Sequence, residues 1–217
     1  MSGTIEENKK LQKQSSNIPE LKEGKFNSSL DQSSQPYRYW APADAKTKPT
    51  PILVFLHSWS GNYKQNNSQW LSQANQRNWI YLHPDFRGAN NHLEACGSQL
   101  ARQDVLDSIE EIAKTYQIDP ERIYLAGASG GGHMTLVMAA YHPDRFSAAS
   151  AWVGITNLAD WYRFHAPGGI PKGSAIMTSK SLGGAQAEST EIDDQYHERL
   201  PVCPVQAAVN LPLDIQA

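Results

Sequence analysis

The chain is short of the features that mark most specialised proteins. Only two of its 217 residues are cysteines, Cys96 and Cys203. Two are too few for a disulfide framework, and neither lies in a CxxC pair, so a structural zinc site or dithiol redox motif has no support. Two free thiols and a single bridge both stay open. No apolar run approaches the roughly 18–20 residues that span a bilayer. The first ten residues, MSGTIEENKK, hold no apolar stretch of the kind a secretory leader needs. Charge of one sign is also lacking: 19 Lys and Arg stand against 22 Asp and Glu, a formal net charge of −3. Neither nucleic acid nor a membrane is therefore an expected partner. No internal repeat is present, and the compartment and oligomeric state stay open.

What is present is a hydrophobic content of 40% in a length that suits one domain. Residues 1–26 are rich in Lys, Gln, Ser, Asn and Glu without hydrophobic periodicity, and read as a disordered tail. Residues 27–217 read as the domain. Gln35 to Trp40 alternates and reads as an edge strand. Ile52 to Leu56, Trp79 to Leu82 and Ile123 to Ala126 are continuous apolar runs. Such runs fit strands buried on both faces of a parallel sheet. Phe146 to Val153 is a weaker fourth, and Leu211 to Ile215 a fifth. Helical spacing appears at Val105, Ile109, Ile112 and Tyr116, over Gly132 to Tyr141, and over Trp70 to Gln76. Strand and helix in alternation predict an α/β fold, a mostly parallel sheet with helices on both faces. Residues 166–200 read as a polar excursion between the fourth and fifth core strands.

The third buried strand runs into Gly127-Ala128-Ser129-Gly130-Gly131, and a helix follows. This is G-x-S-x-G in a strand–turn–helix frame, the setting of a nucleophile elbow in α/β-hydrolases. The sharp turn lifts the serine hydroxyl away from the sheet, and small neighbours let strand and helix approach. The helix N-terminus favours developing negative charge, so the Gly130 amide is a candidate oxyanion donor. The plainer alternative, a glycine-rich turn with an incidental serine, does not explain the frame. The first buried strand ends in His57-Ser58-Trp59-Ser60-Gly61, where this fold places its other oxyanion donor. The Trp59 amide is the first candidate and Ser58 the second.

These segments together give a resemblance. PILVFLHSWSGNY, WIYLHPDFRGANN, the stretch from ACGSQLARQDV through DPERIYLAGASGGGHM, and SAASAWVGITNLADWY resemble the catalytic domain of the prolyl oligopeptidase family, in its single-domain esterase-like branch, over about residues 36–165. The resemblance implies a serine peptidase or esterase that cleaves a peptide or ester bond through an acyl-enzyme on Ser129. The substrate would be a small peptide or an ester, with no metal or organic cofactor. One departure is His57-Ser58, where the family has His-Gly. Another is the absence of room for an N-terminal β-propeller, which favours an ester over a peptide.

The serine needs a base, and the base an acid. In this fold both follow the serine, acid first. By resemblance they follow the strand at 211–215 and the strand after it, whereas the sequence stops at Ala217. The expectation is a C-terminally truncated, incomplete domain of little turnover. Among internal residues, His133 reads as packed in the helix after Ser129, His142 and His197 as exposed, and Asp160 with His165 as the least unsuitable substitute pair. Asp85 and Arg87 read as a salt-bridged turn, with a place in the substrate cleft as the other possibility. Asp104, Asp107, Glu110 and Glu111 read as a solvated helix face. A non-catalytic binding or scaffold protein on a degenerate hydrolase fold is the competing function.

Overall fold

The computed structural model describes residues 18–201 and 210–217. Most of the expected tail, and Cys203, therefore lie outside the described residues. Seven strands form one sheet in the order β1-β2-β4-β3-β5-β6-β7. They are β1 (Lys22–Asn27), β2 (Ser34–Trp40), β3 (Thr50–Leu56), β4 (Ile80–Pro84), β5 (Ile118–Ala128), β6 (Ala148–Trp152) and β7 (Leu213–Gln216). The pairings from β4 across to β7 are parallel, and β1 and β2 join antiparallel. The described α-helices are α1 (Ser68–Gln76), α2 (Gln99–Ala113), α3 (Gly130–Tyr141), α4 (Leu158–Phe164), α5 (Ser174–Leu182) and α6 (Thr190–Glu198).

Burial explains the central strands. Every residue of β3 and β4 is buried, as expected where helices cover both faces. One face packs Ile52, Val54, Leu56, Ile80 and Leu82 against Val105 and Ile109 of α2 and Met134 and Met138 of α3. The other packs Leu53, Phe55 and Tyr81 against Leu71 and Ala74 of α1. Helix α3 is apolar all round and buried from Gly130 to Ala140, so it sits inside the molecule rather than on it.

Three expectations need correction. The strand β1 begins at Lys22, inside the stretch read as tail. It hides because it is an edge strand with one buried side chain, Phe26, among exposed Lys22, Glu23, Lys25 and Asn27. With β1 outside it, β2 is an interior strand rather than an edge. The excursion at 166–200 carries helices α5 and α6, which with α4 enclose a second core around Leu158, Tyr162, Ala175, Leu182 and Tyr196.

The strand order places the site. The chain moves from β3 outward to β4, then returns through α2 to β5 on the other side of β3. The crevice at the carboxyl ends of β3 and β5 is thus a topological switch point, where open α/β sheets bind ligands.

Candidate active site

Ser129 stands at the end of β5 and is the N-cap of α3, with φ 57° and ψ −118°. A side chain with a Cβ rarely adopts that backbone, and holding it costs about 1–3 kcal/mol. The neighbours supply the restraint. The Ser129 amide donates to the Trp152 carbonyl at 2.8 Å, and the Ser129 carbonyl accepts from the His133 amide at 2.9 Å. A serine at an N-cap ordinarily spends its hydroxyl on the helix amides. This one makes no such bond and is exposed, so its hydroxyl is left for another use.

The glycines explain how the turn fits. A methyl on Gly127 would lie 2.3 Å from the Gly131 carbonyl oxygen, and one on Gly131 would lie 2.1 Å from that of Leu56. One on Gly130 would lie 2.4 Å from the Trp59 amide nitrogen and 2.6 Å from its Cα. The β3 loop and the α3 N-terminus therefore meet backbone to backbone. That contact brings the Trp59 and Gly130 amides together beside Ser129. Among the described residues neither amide donates to a backbone carbonyl. Ser58, the second candidate donor, differs: its amide and its hydroxyl both donate to Gln65 Oε1, at 2.9 and 2.8 Å. Its N–H is already committed, so of the two candidates Trp59 is the one whose amide has no acceptor among the described residues. The Trp59 indole packs beside the second core, and its buried Nε1 has no partner among the described residues.

His57, which opens the loop, is fully buried, and burial pushes its pKa down, so it is neutral. Its Nε2 lies 2.7 Å from the Asp85 carbonyl and its Nδ1 3.0 Å from that of Ser58. The Phe86 ring stacks on it at 4.0 Å. The turn that supplies Asp85 and Phe86 carries positive φ at Phe86, Arg87 and Gly88. Arg87 is salt-bridged as expected, though not to Asp85. Its guanidinium, 3% exposed, bonds Asp104 (2.5 Å), Asp31 (2.8 Å) and Glu94 (3.2 Å). Asp104 is fully buried, which corrects its reading as a solvated residue: the guanidinium supplies the positive charge that burial requires. The Asp85 carboxylate accepts from the Tyr63 amide at 3.0 Å, which ties this turn to the loop after β3.

No internal base assembles at the serine. All seven histidines fall among the described residues, and none hydrogen-bonds the Ser129 hydroxyl. His133 is packed as expected, with Nδ1 donating to the Ile155 carbonyl at 2.7 Å; burial pushes its pKa down to about 4. The Asp160–His165 pairing does not form. Asp160 bonds Arg163 and Asn157, and His165 Nδ1 faces the Trp161 carbonyl at 2.9 Å. No group of three or more metal-ligating side chains occurs among the described residues.

Comparison with known proteins gives a consistent picture. The sequence profile of the prolyl oligopeptidase family matches residues 62–172. An acetylxylan esterase of Coprinopsis cinerea is 30% identical over 126 residues, covering 53% of this chain and 33% of that protein. A poly(3-hydroxyalkanoate) depolymerase C of Paucimonas lemoignei is 26% identical over 152 residues, covering 62% and 36%. The chain thus spans about a third of the length of these curated relatives. Among solved structures, the acylaminoacyl peptidase of Pyrococcus horikoshii superposes with a TM-score of 0.73 at 22% identity, over 95% of this chain and 33% of that one. The S-formylglutathione hydrolase of Staphylococcus aureus gives 0.63 at 16%, over 90% and 78%. The structural likeness shows the α/β-hydrolase fold. With the profile match over half its length and the serine elbow that match contains, the chain belongs to the prolyl oligopeptidase family of serine hydrolases.

Proposed function

We propose that Ser129 is the nucleophile of an acyl transfer that cleaves an ester or peptide bond in a small substrate. The supporting observation is the strained serine at the switch point. Its hydroxyl is withheld from helix capping and lies beside two uncommitted amides, those of Trp59 and Gly130. In the proposed reaction the Ser129 oxygen bonds to the carbonyl carbon. The carbonyl π electrons move to its oxygen, which the two amides receive; the serine proton passes to a base and then to the leaving alcohol or amine. Water cleaves the acyl-enzyme, releasing the acid and restoring the hydroxyl. An ester is the favoured substrate, because several of the relatives are named as esterases.

No imidazole of the chain hydrogen-bonds the hydroxyl, so the rate of ester hydrolysis by residues 1–217 alone rests on the amide donors. We expect a rate on the order of a thousandfold over water, not one typical of an esterase. Hydrolysis of p-nitrophenyl acetate at ordinary esterase rates would refute that expectation. The nucleophile itself is tested with a fluorophosphonate probe and peptide mass mapping. Modification of Ser129, lost in Ser129→Ala, is expected. Absence of any modification would favour a non-catalytic binding protein on the same fold.

A further inference from the structure

We infer that Gln65 is a positioning residue, which sets the direction of the Trp59 amide by bracing the oxyanion loop from within. The inference rests on the acyl-transfer reading of Ser129.

The loop between β3 and α1 has no regular structure, so something other than a ladder of backbone bonds must fix it. Residues Ser58 to Gly61 close a tight turn through the bond from the Gly61 amide to the Ser58 carbonyl, at 2.9 Å. Trp59 is the second residue of that turn. Its amide nitrogen lies 2.4 Å from where a methyl on Gly130 would be, and its carbonyl accepts from the Asn90 amide at 2.8 Å. The Gln65 side chain lies across the mouth of the turn. Its Oε1 accepts both the amide and the hydroxyl of Ser58, at 2.9 and 2.8 Å. At the turn's other end the same oxygen sits where a methyl on Gly61 would be, 2.3 Å away. Gly61 has no positive φ, so a side chain there is opposed by space rather than by conformation: it would push the Gln65 tip aside and lie 3.1 Å from the Ser58 carbonyl oxygen.

The brace continues into the sheet. Gln65 Nε2 donates to Asn67 Oδ1 at 3.0 Å, and Asn67 Nδ2 lies 3.3 Å from His83 Nε2. His83 is a fully buried residue of β4. Each amide in this series presents oxygen to donors and nitrogen to an acceptor, so one orientation satisfies all of them. The path from a buried strand to Ser58 is therefore a chain of side-chain bonds of fixed sense. Ser58 is the residue before Trp59, and its backbone direction determines where the Trp59 N–H points. A misplacement of about 1 Å at such a donor is worth about a hundredfold in rate.

The test measures the saturation kinetics of Ser129 modification by a fluorophosphonate, mapped by peptide mass, with Ser129→Ala as the blank. Gln65→Ala is expected to lower the limiting modification rate by about 10- to 100-fold, with the half-saturating probe concentration changed by less than about twofold, because the amide acts on the phosphoryl oxygen as it takes up charge rather than on the bound probe. Gly61→Ala, which displaces Oε1, is expected to give the same kinetic loss. The double variant is expected to lose less than the product of the two single losses, because the 2.3 Å clash with Oε1 is gone while the methyl still meets the Ser58 carbonyl oxygen at 3.1 Å and His57 Cβ at 3.2 Å. A merely structural role would lower the urea midpoint and leave the rate of the folded fraction unchanged. A Gln65→Ala rate within about threefold of the unaltered chain overturns the inference. So does a double variant whose losses multiply. If Gln65→Ala fails to fold, Gly61→Ala alone decides by the same limiting-rate criterion. Absence of Ser129 modification in the unaltered chain instead overturns the acyl-transfer reading itself, and the inference with it.

Discussion

Replacing Arg87 with methionine isolates what the buried ion cluster contributes. The side chains of Arg87 and Asp104 are 3% and 0% exposed, joined at 2.5 Å through Nε and again at 3.4 Å through Nη2. Methionine keeps much of the volume and removes the charge. Asp104 is then a buried carboxylate without a cation, a loss of about 3–5 kcal/mol. The left-handed backbone at Phe86 and Arg87 also loses its anchor. A domain of this size has about 5–15 kcal/mol in all, so the melting temperature should fall by roughly 6–20 °C. The pH dependence identifies the cause. Burial already raises the Asp104 pKa although Arg87 opposes it, and removing Arg87 raises it further. A carboxyl whose folded pKa lies above its unfolded value binds its proton more tightly when folded. Its penalty is absent at low pH and grows as pH rises through that window. The gap between Arg87→Met and the unaltered chain should therefore narrow from pH 7.5 to pH 4.5 in urea unfolding. Adding Asp104→Asn should recover most of the loss at pH 7.5. A loss under about 1 kcal/mol, or no recovery with Asp104→Asn, refutes the reasoning.

Other outcomes follow from the same geometry. Gly130→Ala puts a methyl 2.4 Å from the Trp59 amide nitrogen. Separating the two donors should slow Ser129 phosphonylation by about a hundredfold, and an unchanged rate would deny them a shared role. Burial lowers the pKa of His57, to about 3 that of His83, and to about 4 that of His133. A depressed histidine binds fewer protons folded than unfolded, so stability should be full above about pH 6.5 and fall toward pH 4, by up to about 1.4 kcal/mol per pH unit for each residue. A flat urea midpoint over that range would show that these rings accept protons without unfolding. Among the described residues β7 pairs only with β6, and Ile215 there is 56% exposed. Ile215→Lys should reduce concentration-dependent association in sedimentation velocity; unchanged association would place the contact elsewhere.

The parts of the fold that could be read in advance are those with the strongest burial. Strands β3, β4 and β5 are apolar runs because helices cover both sheet faces, and the serine turn is punctuated by glycines that backbone contact demands. Strand β1 has one core side chain, Phe26, too few for a period. Helices α5 and α6 are nine residues each and bury few side chains, chiefly Ala175, Thr178, Ser181 and Leu182 in one and Tyr196 in the other. Their boundary signals were present in Gly183, left-handed at the end of α5, and Ser189, whose hydroxyl caps α6. Asp104 looks solvated from helical spacing because its partner Arg87 is held by a turn that spacing does not describe. Gln65 was invisible for the same reason: its importance comes from a loop folding back on itself.

The most direct test of the acyl-transfer account is a crystal structure of the chain after reaction with a fluorophosphonate. The account predicts phosphorus bonded to Ser129 Oγ, with the phosphoryl oxygen about 3 Å from both the Trp59 and Gly130 amide nitrogens. A phosphoryl oxygen turned toward solvent or received by other groups, or phosphorus on a different side chain, would contradict it.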